Sequence, residues 1–172
     1  MASWLPRLGT WLRQRAENIA VFMLVAMFAA FIIQIIFRYI LNLPIGWSNE
    51  ISVVLWIWLV LWGAAFVLRE EEEIRIDLLY GVVGPRGRRA MFLVAALILI
   101  ALYAMSLPAT VDYVTFMKVE KTAYLKIRFD YLYSIYVVFL VAVIIRYVYL
   151  AWRTLRGRDP AATDPAKVSS GV

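Results

Sequence analysis

The feature that most constrains this chain is a set of four apolar stretches, each close to the length that crosses a membrane. About 20 helical residues span a hydrocarbon core, because each residue adds roughly 1.5 Å of rise. The stretches carry almost no charge along that length, and a water-soluble fold of this size cannot bury them all. We therefore predict an all-α integral membrane protein, a four-transmembrane-helix bundle with spans over residues 19–40, 51–68, 90–112 and 131–152.

Composition points the same way and removes several classes of function. The chain has 172 residues, of which 64% are hydrophobic and 17% charged, whereas soluble domains carry about 45–50% and about 25%. It contains no Cys and no His, which excludes disulfide scaffolds, Cys/His zinc sites, His-ligated haem and His-based catalysis. We expect no enzyme activity, no cofactor in this chain and no nucleic-acid partner.

The distribution of basic residues predicts the orientation. The N-terminal segment holds three Lys or Arg residues, the second connection five and the C-terminal tail four, against one in the first connection and four in the third. Basic residues favour the cytoplasmic side of a membrane. Both termini are therefore predicted to be cytoplasmic (N-in/C-in), with the first and third connections outside.

The two ends of the chain differ from the spans. The pattern of Trp, Leu and Arg from Trp4 to Arg15 predicts a short N-terminal amphipathic helix lying in the membrane interface. A cleaved signal peptide is disfavoured, because the apolar stretch continues well beyond signal-peptide length. Residues 1–155 are predicted to form a single transmembrane domain, and residues 156–172, rich in Gly, Ala, Ser, Pro and charge, a disordered cytoplasmic tail.

The first connection is the most informative stretch of the chain. Arg38 closes the first span, and Trp47 lies where a membrane-interface anchor is expected. Ser48 and Asn49 are suited to cap the following helix, whose first turn contains Glu50. An ion pair from Arg38 to Glu50 would close the hairpin, and these residues alone favour such a structural role.

The second span carries two tryptophans one turn apart, Trp58 and Trp62, followed by Gly63. Large aromatic side chains fill the groove of a partner helix, and small residues allow two helices to approach closely. We expect this span to contribute to a protein interface.

Charged residues cluster in the second and third connections. Four consecutive acids, Glu70–Glu73, follow the second span; solvated charge explains them better than a metal site, because consecutive carboxylates provide no octahedral framework. The basic residues of the third connection either contact lipid phosphates or form a docking face for an acidic external protein. These residues are Lys118, Lys121, Lys126 and Arg128.

No acidic side chain lies in the middle of a predicted span, although proton and ion pathways normally show one. The nearest acids, Glu17 and Glu50, lie at the span ends. The chain alone is therefore a poor candidate for a pump.

Taken together, these features resemble the small membrane subunit of tripartite ATP-independent periplasmic (TRAP) transporters, the DctQ family. Four spans with both ends inside match its layout over about residues 15–155. The sharper motifs are Arg38, Pro44-x-x-Trp47-x-x-Glu50, Gly63 and Ile74-Arg75-Ile76-Asp77-Leu78-Leu79.

The resemblance implies a subunit of a bacterial inner-membrane importer. It implies a heterodimer with a large membrane subunit that holds the sodium and substrate sites, and a periplasmic substrate-binding protein that delivers an organic acid. The small subunit would be a scaffold in contact with lipids. Family-pattern residues of structure and assembly would be Arg38, Trp47, Glu50, Gly63, Arg75 and Asp77.

Two alternatives stay open from the residues themselves. The first is a self-contained small exporter, working as a homodimer and titrating Glu17 or Glu50. The second is a haem-free membrane anchor for another complex.

Overall fold

The structure, a computed structural model, describes residues 4–43, 45–68 and 84–156. Within them, four helices follow one another: α1 (Trp4–Ile35), α2 (Trp47–Trp62), α3 (Pro85–Phe116) and α4 (Phe129–Leu155). π-Helical turns extend α1 (Ile36–Ile40) and α2 (Gly63–Val67), and a 3₁₀ turn follows α3 (Met117–Val119). Each extended helix is long and apolar enough to cross a membrane. The predicted all-helical fold with four spans is confirmed.

The helices extend beyond the apolar windows read from the sequence. The third covers Pro85–Phe116 rather than 90–112, and the fourth Phe129–Leu155 rather than 131–152. The stretch expected as a separate interfacial helix is continuous with the first span, because α1 begins at Trp4. Its charged residues are good helix formers, and the Arg13–Glu17 pair, with 2.8 Å between Nε and Oε1, stabilises the joining turn.

Close contacts divide the chain into two compact units, Met1–Val67 with Ala109–Phe139, and Leu68–Pro108 with Leu140–Val172. Helices α3 and α4 each contribute one part to both units. The single domain over residues 1–155 stays a prediction, and residues 157–172 of the expected tail lie outside the described residues.

In the first unit, two side-chain hydrogen bonds fix the register of α1 against α2. The Trp62 indole donates to the carbonyl of Ala16 at 3.1 Å, and the Ser48 hydroxyl donates to the carbonyl of Ala30. From the first bond to the second, the position on α1 advances by 14 residues, from Ala16 to Ala30. The position on α2 goes back by 14 residues, from Trp62 to Ser48. The two helices are antiparallel and tied near both ends of their contact.

Alanines at the two ends of the contact on α1 allow this approach. Ala16, Met23 and Ala30 are buried at a spacing of seven residues, with exposed fractions of 7%, 7% and 5%. A seven-residue repeat keeps one seam of a helix facing its partner. Ser48, opposite Ala30, is completely buried, so this end of the seam has no space for a larger side chain.

The second unit has its own core, formed by the first half of α3 and the second half of α4. Phe92, Ala96 and Leu150 are buried together, with Tyr147 and Ala151 packed against them. Helix α3 continues across Pro108, which a membrane helix tolerates when the freed backbone groups are satisfied by neighbours.

We predict that Ala30→Leu destabilises the chain, because three extra carbons must enter a seam already closed by Ser48. Overpacking of this kind costs about 1–3 kcal/mol. The control is Ala29→Leu, since Ala29 is exposed on the same turn. Thermal unfolding of the purified protein in mild detergent measures both, and an equal melting temperature for the two variants would contradict the assigned seam.

Candidate functional site: the contact between the first and third connections

The third connection, residues 120–128, is a closed loop rather than an open link. Its ends pair as an antiparallel bridge between Lys121 and Arg128. Inside the bridge, the Thr122 amide donates to the carbonyl of Ile127 at 2.9 Å, and the Ile127 amide donates to Thr122 Oγ1 at 3.1 Å. Lys126 adopts a left-handed backbone conformation with φ of 56°. These contacts define one loop shape, with residues 123–126 at its tip.

Glu50 holds the tip of this loop from the side of α2. Its Oε1 accepts a hydrogen bond from the Tyr124 amide at 2.8 Å, and its Oε2 accepts one from the Leu125 amide at 2.9 Å. Both oxygens of the carboxylate are therefore engaged by consecutive backbone N–H groups. Hydrogen bonds to an ionised acceptor are shorter and stronger than neutral ones, so Glu50 acts as a latch between the first turn of α2 and the third connection.

Gly46 completes the contact on the side of the first connection. A β-carbon at this position would overlap the ring of Tyr124. The absence of a side chain at Gly46 thus lets the ring lie directly on the backbone that leads into α2. Since Glu50 and Gly46 both meet the third connection, the first and third connections lie on the same side, as the predicted topology requires.

The structure corrects the predicted closure of the hairpin. No ion pair joins Arg38 to Glu50 among the described residues; the Arg38 guanidinium lies 5.8 Å from the centre of the Tyr39 ring instead. Helix α2 begins at Trp47, with no side-chain cap. Ser48 is therefore not a cap, because its hydroxyl is used to bond α1.

The four predicted docking cations fall into two groups. Arg128 pairs with Asp130, at 2.6 Å between Nη2 and Oδ2 and 3.1 Å between Nε and Oδ1; this hydrogen bonding raises the pKa of Arg128. Lys118 is close enough to act on Asp130 electrostatically. Lys121 and Lys126 are exposed, and no ion pair reaches either from the part of the chain that the structure describes.

The tryptophans of α2 differ in the contacts that they make. The Trp58 indole donates to the carbonyl of Leu132 in α4 at 3.1 Å, and the Trp62 indole bonds α1 as described above. Trp56, which points away from both, is 58% exposed. The partner-interface role of Trp58 and Trp62 stays a prediction, and the structure adds an internal use of each indole N–H.

The remaining predicted residues are placed as follows. Trp47 is 36% exposed at the start of α2, and its role as an interfacial anchor stays a prediction. Gly63 begins the π-helical turn after α2, and a β-carbon there would meet nothing within 4 Å. Arg75, Asp77 and Glu70–Glu73 lie outside the described residues. Within the residues that the structure describes, no three acidic side chains come together in a group that could hold a metal ion.

Sequence reasoning did not identify a groove of about 410 Å³ within the first unit. The Tyr133 ring lines the groove and lies 6.1 Å from the Tyr113 ring and 6.0 Å from the Tyr136 ring between centroids. The three-residue spacing of Tyr133 and Tyr136 was the available signal in the sequence. The groove is lined by Ala109, Thr110, Tyr113, Val114, Tyr133 and Tyr136.

Comparison with known proteins places this arrangement in a family. The family model described as the DctQ component of tripartite ATP-independent periplasmic transporters matches residues 27–157. The chain belongs to this family. The DctQ match includes all the described contacts between the first and third connections, and it makes this chain a member of a transporter-subunit family.

A curated relative gives a second comparison. The C4-dicarboxylate TRAP transporter small permease protein DctQ of Vibrio cholerae serotype O1 (strain ATCC 39315 / El Tor Inaba N16961) is 32% identical over 93 residues. These residues cover 54% of this chain and 40% of the relative. The similarity therefore covers less than half of the relative's length.

We predict that Glu50→Gln opens the third connection. The amide retains one acceptor oxygen and places a donor against the second backbone N–H, so one of the two bonds is lost. Trypsin cleavage after Lys121 and Lys126, followed by peptide mass mapping, should then accelerate severalfold. Glu120→Gln removes the same charge from an exposed acid whose side chain makes no such contact, and it should leave cleavage unchanged; equal acceleration in both would contradict the latch.

We predict that Trp58→Phe lowers the stability of the purified chain by about 0.5–1.5 kcal/mol, the usual net value of one hydrogen bond. Trp56→Phe is the matched control, because its ring is exposed in the same helix and should leave the melting temperature unchanged. If Trp58 contributed only to a partner surface, its variant would melt like the control.

Proposed function

We propose that this chain is the scaffold subunit of a sodium-driven importer of a carboxylate-bearing solute. It lies in the bacterial inner membrane, with both termini cytoplasmic. It binds a large membrane subunit as a heterodimer, and an external substrate-binding protein delivers the solute to the pair. Family membership and the name of the C4-dicarboxylate relative support this proposal.

The observation that carries the proposal is the absence of a charge pathway within the described spans. Within the described residues, no acidic side chain lies in the middle of a span, and those an exporter would titrate are engaged: Glu17 pairs with Arg13, and Glu50 accepts two backbone N–H groups. A subunit of this kind contributes a surface for binding its partner and takes no direct part in moving ions or solute. The sodium and substrate sites belong to the partner.

Helix α2 offers the surface that suits a partner helix. Val53, Trp56 and Val60 lie on one face, with exposed fractions of 48%, 58% and 51%. Gly63 continues the same face and has open space beside it. Small residues allow close helix approach in membranes, and a large aromatic side chain is a frequent anchor. We assign the contact with the large subunit to this α2 face.

The test is gentle extraction of the tagged chain from its native membrane, with identification of co-purifying proteins by mass spectrometry. We expect an equimolar membrane protein of roughly twelve spans, counted by the length rule. Trp56→Ala should lower its recovery severalfold, because the anchor of the α2 face is lost. Trp152→Ala is the control, since Trp152 is 55% exposed on another helix. A stable homodimer without a larger partner would contradict the proposal and favour the exporter.

A further inference from the structure

The groove of about 410 Å³ in the first unit lies between two membrane spans. We call it the tyrosine groove; its lining residues belong to 109–114 of α3 and 133–136 of α4. Both stretches lie within helices long and apolar enough to cross a membrane. Tyr113 and Tyr136 are 52% and 38% exposed, so the groove is open to its surroundings. At this depth in a membrane, those surroundings are lipid acyl chains.

The lining of the tyrosine groove suits an apolar chain. Ala109 and Val114 are apolar, and the rings of Tyr113, Tyr133 and Tyr136 lie about one ring diameter apart, at 6.1 and 6.0 Å between centroids. An acyl chain gains many small dispersion contacts along such walls. Each tyrosine also carries a hydroxyl, which can donate a hydrogen bond to an ester or phosphate oxygen.

Charged side chains lie at the end of the groove that faces the third connection. Lys118 follows Val114 by four residues, and Asp130 precedes Tyr133 by three, so each lies about one turn beyond a lining residue. The two charged groups are close enough to interact electrostatically. The Phe129 ring lies 5.7 Å from the Tyr133 ring at the same end. We call this end, with Lys118, Phe129 and Asp130, the mouth of the groove.

The mouth has an excess of positive charge. Arg128 holds Asp130 through two hydrogen bonds, at 3.1 and 2.6 Å. Lys118 is exposed, and no ion pair within 4 Å engages it among the described residues. Asp112, another acid of α3, does not line the groove. Lys118 is therefore able to bind an anion, and lipid phosphates supply anions at the level where a span ends.

We propose that the tyrosine groove binds one anionic phospholipid, with an acyl chain along the groove and the phosphate at Lys118. A partner helix would pack against the groove without needing a cation at its mouth. An apolar groove that ends at a positive mouth matches instead the two parts of a phospholipid, its chain and its headgroup. The inference does not rest on the proposed function, because it requires only that the chain spans a membrane.

The test uses the full tagged chain, purified with any partner that it retains and reconstituted into phosphatidylcholine vesicles. The vesicles contain a small fraction of phosphatidylglycerol that carries a photoreactive diazirine in one acyl chain. After illumination, peptide mass mapping locates the lipid adducts. We expect them to concentrate on residues 109–114 and 133–136. Phosphatidylcholine with the same diazirine should label these residues several times less, because its headgroup has no net charge.

A first pair of variants tests the groove itself. Ala109→Phe places a ring within the groove, and it should remove most of the labelling there. Ala109 is exposed, so the added ring does not have to enter a buried core. Val111→Phe is the control, since Val111 is 38% exposed on the same helix and does not line the groove.

A second pair tests the mouth. Lys118→Gln should lower the yield of phosphatidylglycerol adducts about fivefold, the usual contribution of one basic residue near an anionic headgroup. It should leave labelling by phosphatidylcholine unchanged. Lys121→Gln removes the same charge from the third connection and should have a much smaller effect. An unchanged melting temperature shows that each lysine variant is folded.

Labelling spread evenly along all four spans would overturn the inference, because it would indicate bulk lipid contact only. Labelling that persists in Ala109→Phe, or equal losses in the two lysine variants, would overturn it as well. Labelling of the groove in the isolated chain but not in a complex with a large membrane subunit would show that a partner helix covers the groove, which also contradicts the inference. Failure of the proposed function is a separate result, in which the unmodified chain recovers no large membrane subunit.

Discussion

The polar side chains of α2 bond to backbone carbonyls, and the packing of the first unit depends on this pattern. Ser48, Ser52, Trp58 and Trp62 each donate to a carbonyl oxygen. A helix carbonyl retains a second lone pair after its intrahelical bond, so these contacts require no break in a neighbouring helix. In a hydrocarbon solvent an unpaired donor is costly. Ser52 bonds within α2 itself, so the positions of the other three donors decide where α1 and α4 lie against α2.

The spans were predictable because their signal is local. Each depends on about 20 successive residues, and the structure places a helix over each predicted stretch. The ends were less predictable, since backbone hydrogen bonding continues into charged residues that form helices well. Contact between Glu50 and residues 124–125 joins positions more than 70 apart in the sequence. Residue types alone could not separate it from an ion pair with Arg38.

The candidate site could be predicted only in part, because residue types are local but their contacts depend on the fold. The basic character of the third connection was visible, but its division into compensated and uncompensated cations depends on where Asp130 points. The tryptophans carried a usable periodic signal: at 100° per residue, Trp58 and Trp62 share a face, whereas Trp56 lies roughly opposite them. That difference separates the rings that bond within the chain from the ring that is exposed.

The two bonds between α1 and α2 also govern movement. They lie 14 residues apart, about 21 Å along a helix axis at 1.5 Å per residue, and Met23 is buried in the seam between them. Two separated attachment points prevent one helix from pivoting on the other. We therefore expect the pair to move as one rigid body, so that a displacement of α2 at Trp62 also displaces Ser48, two residues from the Glu50 carboxylate that holds the third connection.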